Sequence, residues 1–345
     1  MPPVTPSTHE LETPEANVYS TSILLANLSS PSDYHVLESA IRNATRSTSD
    51  RLVIILYSSA FVDDQDPRAK WFEIQRLLTW TYVEGTAVAQ DMGKVLMDID
   101  VLLRPPSAPA VEKNADDEEL VKKADALYVF RDESDTFLWW VSRTSNPVFI
   151  SKPASWSAPH ISLPPPPDAN AVLLVVALGG TFDHLHAGHK ILLSMAVWLS
   201  RRKVIVGVTD ENLLVNKANK HVLESLTHRI DRVRSFLTSF KPSLEYEIVP
   251  IHDVYGPPDP EIQALVVSKE TLSGAAAIDR KRKELGFPPL ETFVIDVISA
   301  NHVALDSDDP ELLKKTKLSS TFIREWIVDR QRHEEFRVDS QSRPA

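Results

Sequence analysis

Two apolar patterns alternate along this chain. Short apolar runs without polar alternation occur at 22–26, 51–56, 171–178, 203–208, 246–250 and 293–298. Strands of that kind are buried on both faces and belong to parallel sheets. Residues 94–103 are also strand-like, 262–267 form a strand or a helix-to-strand passage, and 127–130 pairs with 137–141 in a hairpin. Between the runs lie segments with helical spacing: 32–46, capped by Ser32 or Asp33; 66–89, carrying Trp71, Ile74, Leu78 and Tyr82; then 189–200, 226–240, 275–285 and 320–329. Segment 115–123 is acidic and reads as solvated. Strand–helix alternation predicts an α/β protein. The C-terminal half should be a Rossmann-like parallel sheet with helices on both faces, preceded by a smaller α/β N-terminal domain.

Proline sets the boundaries. Residues 152–170 contain six prolines, four of them at 164–167, and read as a semi-rigid spacer. The expected organisation is a disordered tail at 1–16, an N-terminal domain at 17–150, a linker at 151–170, a second domain at 171–330 and a polar tail at 331–345. Such a spacer joins units with separate cores, so residues 1–150 should be dispensable for chemistry and serve as a contact surface for another protein. A length of 345 residues agrees with two domains.

Composition narrows the function. With no cysteine, disulfides, thiolate nucleophiles and Cys-ligated zinc are excluded, and a reducing compartment is implied. The longest apolar run has eight residues, far short of the roughly 20 that span a bilayer. The first residues lack the basic and apolar parts of a secretory signal. A cytoplasmic location, compatible with nuclear presence, is therefore expected. Net charge is −11, of which residues 1–170 carry −10. That acidity argues against nucleic acid or membrane partners, since phosphate neutralisation needs surplus Lys and Arg. The near-neutral second half can still hold a positive pocket, and seven of the nine glycines lie there.

The chemistry-bearing string is 178–190, Leu-Gly-Gly-Thr-Phe-Asp-His-Leu-His-Ala-Gly-His-Lys. Gly179 and Gly180 are expected to turn the chain sharply at a strand's end, and the amides that follow, opening a helix, suit an anion. His186 and His189 leave room for a phosphate between two imidazoles. No third ligand is at hand for zinc. A second string, Lys317-Leu-Ser-Ser-Thr-Phe-Ile-Arg324, places hydroxyls and amides at a helix start with a guanidinium one turn on. Neither string is a P-loop or a dinucleotide-binding glycine pattern, so kinase and dehydrogenase readings lose their support.

Together these two strings resemble the nucleotidyltransferase superfamily, and the C-terminal half is expected to have its fold. Within it, Val208–Leu214 with Lys217 and Lys220, Arg229 to Leu237, Pro250 to Pro257 with Asp253, and Val267 to Arg282 are similar to the eukaryotic and archaeal phosphopantetheine adenylyltransferases. The likeness covers about residues 171–330. Phe322 departs from it, standing where Arg is often found, as does Asp279, where Asn is usual. The resemblance implies adenylyl transfer from ATP, with Mg²⁺, to 4′-phosphopantetheine, giving dephospho-CoA and pyrophosphate. It implies that Thr181 binds the acceptor phosphate or the α-phosphate, with Gly179, Gly180 and Phe182 beside it. His189, assisted by His186, would stabilise charge on the α-phosphate. Lys217, or Lys220 in its place, would neutralise the attacking phosphate. Ser319, Ser320, Thr321 and Arg324 would hold the β- and γ-phosphates, and Arg229 is a further candidate for nucleotide binding. Other enzymes of coenzyme A synthesis are the partners expected at residues 17–150. A cytidylyltransferase, an NMN-type adenylyltransferase and a non-enzymatic scaffold of a coenzyme A-synthesis complex remain as alternatives.

Overall fold

The computed structural model describes residues 17–62, 66–106, 115–153, 172–253, 255–256, 259–295 and 319–341. The expected tail at 1–16, most of the expected linker, and Lys317 and Leu318 lie outside the described residues.

Among the described residues, ten strands form two five-stranded parallel sheets. The first contains β1 (Tyr19–Asn27), β2 (Thr48–Tyr57), β3 (Asp98–Arg104), β4 (Ala126–Phe130) and β5 (Pro147–Ile150), in the order β3-β2-β1-β4-β5. The second contains β6 (Val175–Gly180), β7 (Lys203–Thr209), β8 (Glu245–Ile251), β9 (Ala264–Ser268) and β10 (Glu291–Ile295), ordered β10-β9-β6-β7-β8. Every pairing within both is parallel. Counted from its own first strand, each sheet contains the order 3-2-1-4-5 in one direction. A doubly wound sheet of this kind receives ligands where its first and fourth strands part, at their carboxyl ends.

The helices among these residues are α1 (Glu38–Arg46), α2 (Trp71–Asp91), α3 (Ala115–Lys123), α4 (Leu138–Val141), α5 (Ala187–Leu199), α6 (Leu226–Phe240), α7 (Leu272–Glu284) and α8 (Ser320–Gln341). Both α1 and α2 are preceded by 3-10 turns that start on proline, Pro31–Leu37 and Pro67–Lys70. Proline fits a first turn because its missing N–H would be unpaired there.

Three expectations change. Residues 137–141 do not pair with β4; they include α4, with Phe137 and Trp140 buried three residues apart at helical spacing. The strand beside β4 is β5, which runs parallel to it. The acidic segment 115–123 is a helix with acids in its first turn and lysines in its last, the charge order that suits a helix dipole. It is not fully solvated: Asp117 is buried against Arg104. The last helix continues twelve residues beyond the expected 329, to Gln341, with the exposed pair Arg330–Glu334 along its side.

The two halves do not have separate cores. One contiguous cluster of buried side chains contains Ile23, Val53, Ile54 and Tyr82 from the first sheet and its helices, and Val176, Ile191 and Val206 from the second. Helix α2 packs on α5 across the junction. There Trp198 Nε1 donates to the Pro67 carbonyl at 2.9 Å, and the Trp71 and Phe293 rings lie 5.1 Å apart. Buried Arg104 donates to the carbonyls of Ser239 (2.8 Å) and Phe240 (2.7 Å), closing the carboxyl end of α6. The expectation of independence came from the prolines, which report chain stiffness and say nothing of the faces on either side of them.

Candidate active site

The loop between β6 and α5 has a costly backbone. Gly179 and Gly180 do not make the turn; they remain in β6, paired with Gly207 and Val208. The turn comes later, where Phe182 (φ 51°) and His184 (φ 46°) occupy the left-handed region. Side chains are disfavoured there, so the surroundings must hold them. The Phe182 ring is fully buried over Gly180, where a Cβ would come within 3.2 Å of it. His184 donates its amide to Glu224 Oε2 at 2.7 Å, and its Nε2 meets the Val222 carbonyl at 2.8 Å.

Asp183, absent from the candidates read in the sequence, is the centre of this arrangement. It is fully buried. Its Oδ1 accepts the Glu224 amide at 2.9 Å, its Oδ2 pairs with Arg324 Nη1 at 2.5 Å, and its carbonyl accepts from Ser320 Oγ at 2.8 Å. The available signal was a lone carboxylate between Phe182 and the apolar start of α5.

His186 is the N-cap of α5 but makes no capping hydrogen bond with its side chain. Its ring stacks on that of His189, with centroids 3.9 Å apart. Burial lowers the His189 pKa to about 4; Asp183 opposes that shift, and Lys217 adds to it. The imidazole is therefore neutral at pH 7, and its Nδ1 has no hydrogen-bond partner among the described residues.

A cavity of about 280 Å³ opens over these rings. Gly179, Gly180 and Thr181 reach it from the end of β6, His186 and His189 from α5, and Lys217 from the segment after β7. Ser319, Ser320, Thr321 and Arg324 reach it from the start of α8. Ser268, Glu270 and Thr271, at and after the end of β9, complete the wall and were not among the candidates. The cavity thus lies where β6 and β9 part, the switch point of the second sheet.

Phe182, Lys220 and Arg229 do not reach this wall. Phe182 supports it from beneath, its ring 5.2 Å from that of His189. Lys220 lies in the 3-10 turn Lys220–Val222, away from the cavity. Arg229 is fully buried and donates to the carbonyls of Thr181 (2.7 Å), Thr209 (2.9 Å) and Glu224 (3.1 Å). It joins the ends of β6 and β7 to the start of α6. Arg324 is 2% exposed and also donates to the Ala218 carbonyl at 2.9 Å, so its guanidinium joins protein segments at the edge of the cavity. No three His, Asp or Glu side chains among the described residues are grouped to hold a cation.

Residues 177–326 match the cytidylyltransferase-like family. Over 125 residues the chain is 42% identical to a phosphopantetheine adenylyltransferase of Methanopyrus kandleri, covering 36% of this chain and 78% of that one. The chain belongs to the phosphopantetheine adenylyltransferase family. Another relative of that name, from Saccharomyces cerevisiae, is 44% identical over 164 residues, 47% of this chain and 51% of its own. An uncharacterized Schizosaccharomyces pombe protein is 42% identical over 157 residues, 45% of this chain and 48% of its own. The matched region spans about half the length of these two fungal relatives. All of the residues lining the cavity fall within the stretch matched to the cytidylyltransferase-like family.

The neutral state of His189 has a measurable consequence. Its folded pKa, about 4, lies below the roughly 6.5 of an unfolded histidine. Between those values the unfolded chain binds a proton that the folded chain refuses, so stability falls as pH drops through that window. The full contribution is on the order of 3 kcal/mol. His189→Gln should make the stability profile flatter between roughly pH 6.5 and 4 than that of the unaltered chain. Parallel profiles from denaturant titrations at several pH values would refute the low pKa.

Proposed function

We propose that this pocket transfers the adenylyl group of ATP to the phosphate of 4′-phosphopantetheine. An acceptor phosphate oxygen attacks the α-phosphorus, the bond to the bridging oxygen breaks, and pyrophosphate leaves with that electron pair. The products are dephospho-CoA and pyrophosphate. The observation that carries this reading is that the amino ends of two helices, α5 and α8, open on one cavity together with Lys217. Helix amino ends favour phosphate through free amides and the positive end of the dipole.

In this reading Thr181 binds the acceptor phosphate or the α-phosphate, and Lys217 offsets the charge of the attacking group. His189, with His186 stacked on it, stabilises charge developing on the α-phosphate. Ser319, Ser320 and Thr321 receive the β- and γ-phosphates. Positioning and charge stabilisation supply the catalysis, since phosphoryl-type transfers require little covalent work from the protein. Mg²⁺ enters as part of the MgATP substrate, and its chemistry is to neutralise the nucleotide's phosphates. A cytoplasmic place of action belongs to the same reading; no helix among the described residues is long and apolar enough to cross a membrane.

The test is to incubate the full-length chain with MgATP and 4′-phosphopantetheine and to measure pyrophosphate and dephospho-CoA. Both products should form in equal amounts, and CTP should not replace ATP. His189→Ala should lower turnover by about 10²–10³-fold, the usual loss of one transition-state donor. Absence of product, or preference for CTP, would overturn the proposal.

A further inference from the structure

The N-terminal sheet reaches the helix that carries the histidines through Lys190, the neighbour of His189. Lys190 is 2% exposed. Its ammonium donates to Asp100 Oδ1 at 2.7 Å, to the Ile99 carbonyl at 2.8 Å and to the Asp98 carboxylate. All three acceptors belong to β3, and together they match the three donors of an ammonium. We propose that Asp98 and Asp100 are positioning residues for the histidine pair, acting through Lys190, so that the N-terminal sheet is a working part of the active site. The inference rests on the adenylyl-transfer reading of the cavity.

An ion pair that merely joined two halves would not need to sit here. The Lys190 amide donates to the His186 carbonyl at 3.0 Å, closing the first turn of α5. The residue anchored in β3 is thus the one that closes the turn containing both histidines. That turn has no side-chain cap of its own, and the loop before it is held at two left-handed residues. Its position therefore depends on tertiary anchors.

The carboxylates are themselves held. Asp100 receives Arg51 Nη2 at 2.8 Å, and Arg232 Nη2 lies 3.4 Å from Asp98. Burial would raise the Asp100 pKa, but Lys190 and Arg51 outweigh it and hold the group below its ordinary value. A second cavity of about 210 Å³ lies between the segment leading into β3 and the start of α5, lined by Asp98, Lys190 and His186 among others. His186 borders both cavities, so the stacked pair has space to shift once Lys190 is released. A displacement of about 1 Å can cost roughly 10²-fold in rate.

In the full-length chain, Lys190→Met should lower turnover by about 30–100-fold and Asp98→Ala by about 3–10-fold. KM for ATP and for 4′-phosphopantetheine should change less than about twofold, because reacting groups are misplaced while ground-state binding is kept. The NMR titration of His189 in the ligand-free protein should move upward from about 4. Unchanged turnover and an unchanged His189 titration in a folded Lys190→Met chain would overturn the proposal. If that variant does not fold, Asp98→Ala decides by the same two readouts, since Asp100 still holds Lys190. If the unaltered chain makes no pyrophosphate, adenylyl transfer fails as a reading, and the His189 titration still decides the positioning role.

Discussion

A chain truncated to begin at Asp168 is expected to lose its cooperative melt and to expose apolar surface. The second sheet does not end at its own boundary. Truncation would uncover Trp198 and Phe293, which pack beside Phe61 and Trp71 of the N-terminal half. It would also strip the buried Lys190 ammonium of its three acceptors and release the carbonyls at the end of α6 from Arg104. Each large apolar side chain returned to water costs about 1.5–3 kcal/mol, and each hydrogen bond lost across the junction costs about 0.5–1.5 kcal/mol. Several such losses together reach the lower end of the usual stability of a domain, about 5–15 kcal/mol. The check is a thermal melt and dye binding on the truncated chain. A soluble fragment with a cooperative melt and the turnover of the full chain would show that the shared core contributes nothing, as the proline-rich spacer first suggests.

Much of the fold is legible in the sequence because strands buried on both faces are unbroken apolar runs. β2, β7 and β8 each fall within a few residues of their expected positions. The hairpin expected at 137–141 failed because Phe137, Leu138, Trp139, Trp140 and Val141 are all apolar, and such a run has no period to separate strand from helix. The cavity walls contributed by β6, α5 and α8 were legible from 178–190 and 319–324, where short-range spacing groups the lining residues. Lys190 was not, because its partners on β3 stand about 90 residues earlier. Nor was the contrast between the sheets. Both have the 3-2-1-4-5 order, but at the parting of β1 and β4 the Glu133 carboxylate already accepts the Asn27 amide at 3.0 Å and pairs with Lys152. The first sheet's own carboxylate occupies the amide that a ligand would meet there.

The remaining large effect concerns Asp183 and Arg324. If Arg324 served only to bind nucleotide phosphate, Arg324→Ala would raise KM for ATP and leave the melt unchanged. The structure predicts otherwise. Both side chains are almost wholly buried, at 0% and 2% exposure, and they are joined at 2.5 Å. Removing one member of such a pair leaves the other charge buried and unpaired, which costs about 3–5 kcal/mol. Asp183→Ala should therefore destabilise the chain by about that amount. It should also lower turnover, because Asp183 ties the start of α8 to the loop that leads into the first turn of α5, where His186 and His189 stand. Pairing it with Arg324→Met removes the stranded charge, so the double variant should regain roughly 1–3 kcal/mol over the sum of the single losses. Denaturant titrations of the two single variants and the double complete the cycle. Additive losses, or a loss below about 1 kcal/mol for Asp183→Ala, would mean that the pair is effectively solvated, and Arg324 would return to the phosphate role that its place after Ser319, Ser320 and Thr321 first implies.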